Sequence, residues 1–133
     1  MPALSQNLVF SVINGNTTTN SVSVTYNGTG DSLVYTSQRV KGDGYFGSGD
    51  GLHTVAYTTT RYFAGSVNMQ ATLASEPVES DWFNVIGTTS TYTELDYRTT
   101  NSVDIYNATG NFVWLRGYLA FTQGSLLSIQ YNH

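Results

Sequence analysis

The stretch "GSVNMQATLA", residues 65–74, alternates apolar and polar side chains without a break. Val67, Met69, Ala71 and Leu73 fall on one side, Ser66, Asn68, Gln70 and Thr72 on the other. A period of two is the signature of a pleated strand with one buried face and one wet face. "SVSVTYN" (21–27) repeats it with Val22, Val24 and Tyr26 against Ser21, Ser23 and Thr25. "SVDIYN" (102–107) does so with Val103 and Ile105 against Asp104. Less regular strands are expected at 7–13, 32–40, 52–60, 82–87 and 90–95.

Near the end, "NFVWLRGYLAFT" (111–122) and "SLLSIQY" (125–131) flank "QG" at 123–124. A short glycine-containing connection between two apolar runs predicts a hairpin. Val113, Leu115, Leu119 and Phe121 on its first arm would meet Leu127, Ile129 and Tyr131 on its second, at the centre of the core. Turn clusters separate the strands at 14–20, 27–31, 75–81 and 107–111. Pro77 falls in one of these, where no ladder donor is lost. Roughly nine short strands spaced by turns, with no substantial helix, predict one antiparallel β-sandwich of jelly-roll type spanning residues 1–133.

Composition narrows the function. Charged residues make up 11% of the chain and the net charge is -4. Nucleic-acid binding needs clustered cations, whereas Arg39, Lys41, Arg61, Arg98 and Arg116 look scattered along the sequence. No nucleic-acid partner is expected. The absence of cysteine excludes disulfides and thiolate metal sites. "MPALSQNLVF" lacks the basic and long apolar segments of a secretion signal, and no run is long enough to cross a bilayer as a helix. The expectation is synthesis in a cytoplasm, without export by that route and without a membrane partner.

"GDGYFG" (42–47) matches the glycine spacing of dinucleotide-binding loops. That motif works only where a helix begins at the glycines and offers its amide end to a pyrophosphate. "SGDGLHTVAYTTT" follows instead, rich in glycine and β-branched residues, so a loop between strands is expected and no cofactor. Asp43 and Asp50 in this loop are too sparse for a calcium site and read as turn-capping acids. Tyr45 and Phe46 at its tip are contact candidates, able to stack on a sugar, plug a neighbouring subunit or fold back on the core edge. Glu76, Glu79 and Asp81 crowd one turn, "SEPVESDWF" (75–83), which suits solvation better than paired carboxylate catalysis. Trp82 and Trp114, among apolar neighbours, read as core or interface residues before sugar platforms. His53 has no nucleophile elbow beside it, and His133, as a terminal residue, is expected to be poorly held. No catalytic residue and no metal ligand set is predicted.

Three stretches together carry a likeness: "GDGYFGSGDGLHTV" (42–55), "GSVNMQATLASEPVESDWFNV" (65–85) and "GNFVWLRGYLAFTQGSLLSIQYNH" (110–133). They resemble small virion structural proteins of tailed bacteriophages, particularly T4-like phages of marine cyanobacteria and their relatives. The resemblance implies a non-enzymatic virion component: a capsid decoration, a neck protein or a tail-fibre-associated subunit. Its partners would be other virion proteins and itself, in a symmetric homo-oligomer such as a trimer. The alternative is a carbohydrate-binding module at a fibre tip, meeting a host-surface glycan. The interface or binding candidates are Tyr45, Phe46, Tyr62 and Trp82.

Overall fold

The computed structural model describes residues 5–14, 17–26, 31–47, 49–96 and 98–133. Two antiparallel sheets face each other. The first is ordered β1 (Ser5–Asn7), β13 (Ser125–Asn132), β7 (Leu52–Thr59) and β11 (Ser102–Thr109), with β4 (Val24–Thr25) also on β13. The second is ordered β10 (Ser90–Tyr92), β8 (Ala64–Thr72), β12 (Trp114–Gln123) and β5 (Leu33–Thr36). Short β6 (Val40–Lys41) pairs with β12, and β9 (Phe83–Asn84) with β8. From β5 to β13 the longer strands alternate between the sheets, except β8 and β10, which are neighbours in the second. This is an all-β sandwich with jelly-roll alternation.

The core lies between the sheets and is built from their inward faces. Val55, Tyr57, Leu126, Ile129 and Tyr131 come from the first sheet; Val67, Met69, Ala71, Leu115, Leu119 and Phe121 come from the second. Each large side chain removed from water there stabilises the fold by about 1.5–3 kcal/mol. Gly117 lets the sheets approach, because a Cβ at that point would lie 2.8 Å from Cδ1 of Ile129.

The expected hairpin at 111–131 does not form. β12 belongs to the second sheet and β13 to the first, so the chain arches from one to the other at Gly124. Gly124 has φ of 79°, and a Cβ on it would lie 2.6 Å from the backbone of Phe63. The two arms still meet through their inward side chains, across the core instead of along a ladder. A bulge between Leu126 and Ser128 makes Leu126, and not Leu127, the fully buried residue.

Other boundaries shift. β8 ends at Thr72, which leaves Leu73 66% exposed. The turn cluster at 14–20 contains β3 (Thr17–Ser21), which pairs with β2 (Phe10–Asn14). The strand expected at 21–27 is reduced to β4. The turn at 27–31 falls mostly, at residues 27–30, outside the described residues. "GDGYFG" holds a single helical turn, α1 (Asp43–Phe46), where no helix is expected from the sequence. Gly47, with φ of 73°, ends it at once. One turn gives no aligned amide end for a pyrophosphate, so the loop reading stands on shape as well as on sequence.

Candidate functional site

The outer face of the second sheet is polar and aromatic. Because Leu115 and Leu119 point inward, Trp114, Arg116 and Tyr118 point outward along β12. Their cross-strand partners on β8 are Thr72, Gln70 and Asn68, and Gln70 is in turn opposite Asn84 on β9. Asn68 is only 7% exposed and Thr72 is fully buried, so the face expected to be wet is partly covered. The cover is the chain that returns from β8 to β9. Its Ser75 carbonyl accepts the indole N–H of Trp114 at 3.0 Å, and its 3-10 turn (Glu79–Asp81) lies over Arg116.

Arg116 organises this region. Its guanidinium donates to both carboxylate oxygens of Glu79, at 2.6 and 3.1 Å, and its Nε donates to Oε1 of Gln70 at 2.8 Å. The same group lies 4.4 Å from the ring of Trp82. Hydrogen bonding from Arg116 holds the Glu79 carboxyl below its ordinary value. Nε2 of Gln70 and Nδ2 of Asn68 both donate to Oδ1 of Asn84 at 3.1 Å. These planar side-chain groups are thereby fixed in position by the bonds they make with one another.

Tyr45 extends the face. Its ring is 5.0 Å from that of Trp114 and carries the Lys41 ammonium at 4.5 Å, while the Arg39 guanidinium covers Trp114 at 4.2 Å. Arg39, Lys41 and Arg116, scattered in the sequence, therefore gather at one face. Arg61 lies over Tyr62 at 4.6 Å and Arg98 over Tyr92 at 3.9 Å. All five Lys and Arg side chains of the protein thus contact an aromatic ring, the arrangement favoured by the ring quadrupole.

The four residues singled out from sequence do not form one site. Tyr45 and Trp82 belong to the second sheet's outer face. Phe46, adjoining Tyr45, instead stacks on the His133 ring at 5.4 Å. Tyr62 lies elsewhere, on a cleft of about 210 Å³ shared with Glu94, Asp96, Arg98 and Gln123. Neither tryptophan enters the sandwich core; both are half-buried on the outside. Arg116, Tyr118, Gln70 and Asn84 have no place among the sequence candidates. The alternation of Trp114, Arg116 and Tyr118 against Leu115 and Leu119 is the signal that points to them.

"GDGYFG" has a structural task. The Asp43 carboxylate accepts the Gly51 N–H at 2.8 Å and is 2.9 Å from Nδ1 of His133. The backbone N–H of Asp43 donates to Nε2 of His53 at 3.2 Å, which places the imidazole proton on Nδ1. His133 also stacks on Tyr131 at 5.7 Å. The terminal histidine is therefore well held, contrary to the expectation from its position, because Asp43, Phe46 and Tyr131 enclose it. Asp50 accepts the Leu52 N–H at 3.0 Å, so both aspartates cap the loop. Among the described residues no group of three or more His, Cys, Asp and Glu side chains is placed to hold a metal ion.

No protein-family model matches the sequence, and no curated protein matches it. Among solved structures, the chain is similar to a carbohydrate-binding module of lichenase 5A from Cellvibrio mixtus, solved with cellotriose. The identity is 16% and the TM-score 0.41, over 97% of this chain and 86% of that one. It is also similar to a family 29 carbohydrate-binding module from Piromyces equi, at 11% identity and a TM-score of 0.45, over 98% of this chain and 91% of the other. At these values the likenesses assign neither a ligand nor a site residue to this protein.

Proposed function

We propose that this protein is a non-enzymatic recognition module that takes a linear glycan along the outer face of its second sheet. The observation that carries the reading is the line of rings beside β12: Tyr45 against Trp114, then Trp82 over Arg116, then Tyr118. The C–H face of a sugar ring packs flat on an aromatic face, and successive rings suit a polymer more than a single small molecule. Gln70 and Asn84, held in place by Arg116, offer donors and acceptors between the rings for sugar hydroxyls. Their mutual hydrogen bonds preorganise the face, which lowers the ordering cost of binding. In the setting implied by the sequence resemblance, this is a receptor-binding part of a phage tail fibre.

The test is binding of the folded protein to a panel of neutral and host-surface polysaccharides, by calorimetry and affinity electrophoresis. Binding that disappears in a Trp82→Ala, Tyr118→Ala double variant supports the reading. Absence of binding across the panel, or binding that survives the double variant, rejects it.

A second reading, a virion contact subunit acting through protein surfaces, is favoured by a separate observation. Val103 and Ile105 are 59% and 65% exposed on the same side of one strand. Labelling of purified particles with an antibody to the chain tests it, and particles that carry no chain reject it.

A further inference from the structure

The two sheets of the sandwich have very unequal edges. In the second sheet they are made by β9 and β10, of 2 and 3 residues, and by β5 and β6, of 4 and 2. In the first sheet one edge is divided between β1 and β4, of 3 and 2 residues. The other edge is β11 alone: 8 residues paired with β7 along their whole length. Among the described residues no strand pairs with its other side. Proteins ordinarily protect such an edge with lysine, proline, a bulge or an inward charge. β11, "SVDIYNAT", has no lysine, proline or glycine, and its pairing to β7 has no bulge. The one such device it carries is the inward charge of Asp104, and that carboxylate is already taken up within the protein, accepting hydrogen bonds from Ser90 at 2.7 Å and Tyr92 at 2.6 Å.

We propose that β11 is a self-association edge, on which the β11 of a second copy pairs antiparallel about a two-fold axis at Ile105. The strand's own pattern identifies the occupant. In that register Ile105 faces Ile105 of the second copy on the outer side, and Val103 faces Asn107. On the inner side Asp104 faces the uncharged Tyr106, so like charges are not opposed. A foreign strand would need the same match: apolar outward at the centre and uncharged opposite Asp104. The contact is isologous and closes at two copies, and it fuses the two first sheets into one. It leaves the outer face of the second sheet uncovered, so the dimer displays two aromatic lines and gains avidity on a repetitive ligand. The proposal rests on the protein-contact reading and is independent of glycan binding.

Sedimentation velocity of the whole protein, from micromolar to millimolar concentration, tests it. The expected result is a reversible monomer–dimer equilibrium. Ile105→Lys and, separately, Val103→Lys should weaken dimerisation at least tenfold while leaving the circular dichroism spectrum and melting temperature of the monomer unchanged. Both positions are exposed, so the variants retain the fold. A monomer over the whole range, a trimer, or a dimer indifferent to both substitutions overturns the proposal. Polysaccharide binding by the same variants separates the two ideas. A dimer that binds no glycan removes the glycan reading alone, and a glycan-binding monomer removes the edge pairing alone.

Discussion

Asp43 and His133 are separated by 90 residues in the chain and meet at 2.9 Å, joining the loop after β6 to the end of β13. Burial acting alone would raise the Asp43 pKa, but the His133 hydrogen bond and the Gly51 N–H outweigh it, and the carboxyl is held below its ordinary value. Burial pushes neighbouring His53 down, against the opposing pull of Asp43. In both cases the unfolded chain binds the proton more readily than the folded one, so acid removes stability. The loss begins below about pH 6.5 through His53 and continues below about pH 3.9 through Asp43. Melting temperatures recorded across this range should fall in two stages on acidification. His53→Gln should flatten the upper stage and Asp43→Asn the lower. A melting temperature that stays level or climbs with acid contradicts the linkage.

The aromatic line predicts an ordered loss of glycan affinity. Removing the Trp82 ring should lower affinity about tenfold, equivalent to roughly 1.4 kcal/mol. Tyr118→Ala should act similarly. Tyr62→Ala, on the separate cleft, should leave affinity unchanged. Titration of the three variants against one bound polysaccharide makes the comparison, and a dominant effect at Tyr62 would move the site to the cleft.

The arch between β12 and β13 depends on Gly124. Any side chain there must adopt a left-handed backbone and also press on the Phe63 backbone. Gly124→Ala should destabilise the protein by about 1–3 kcal/mol, measured by urea unfolding. Gly117→Ala should cost less, since the atom it meets is the movable end of Ile129.

Tyr57 is fully buried and its hydroxyl donates to the Thr88 carbonyl at 2.6 Å, linking β7 to the segment between β9 and β10. Burial raises its pKa strongly, so the phenol remains a donor at any physiological pH. Tyr57→Phe leaves that carbonyl unpaired and should cost about 1–3 kcal/mol. An unchanged unfolding midpoint would show that water takes the place of the hydroxyl.

The strand pattern was legible where one face is apolar and the other polar, as in Val67, Met69 and Ala71 against Ser66, Asn68 and Gln70. It was less legible where both faces carry large side chains. On β12 the alternation of Trp114, Arg116 and Tyr118 with Leu115 and Leu119 is visible, but residue type alone does not say that tryptophan is outside. The error at residues 123–124 has a backbone origin, because glycine suits a hairpin turn and an arch equally. Thr17–Ser21 reads as a turn by its polarity, yet its β-branched threonines are good strand formers. No local signal could have joined Asp43 to His133, or Glu79 to Arg116 across 37 residues.

The alternation of strands between sheets also governs how the chain reaches this state. Trp114 pairs with Thr72, and Tyr131 with Val55, so most ladders wait for distant segments to find one another. Loop closure must come before those contacts reward it, which places the protein among slow, millisecond-to-second folders. β12 and β13, which come last in the order of the sandwich strands, complete the two sheets. A nascent chain released before β13 would expose a half-built sandwich, its inner faces open to its neighbours.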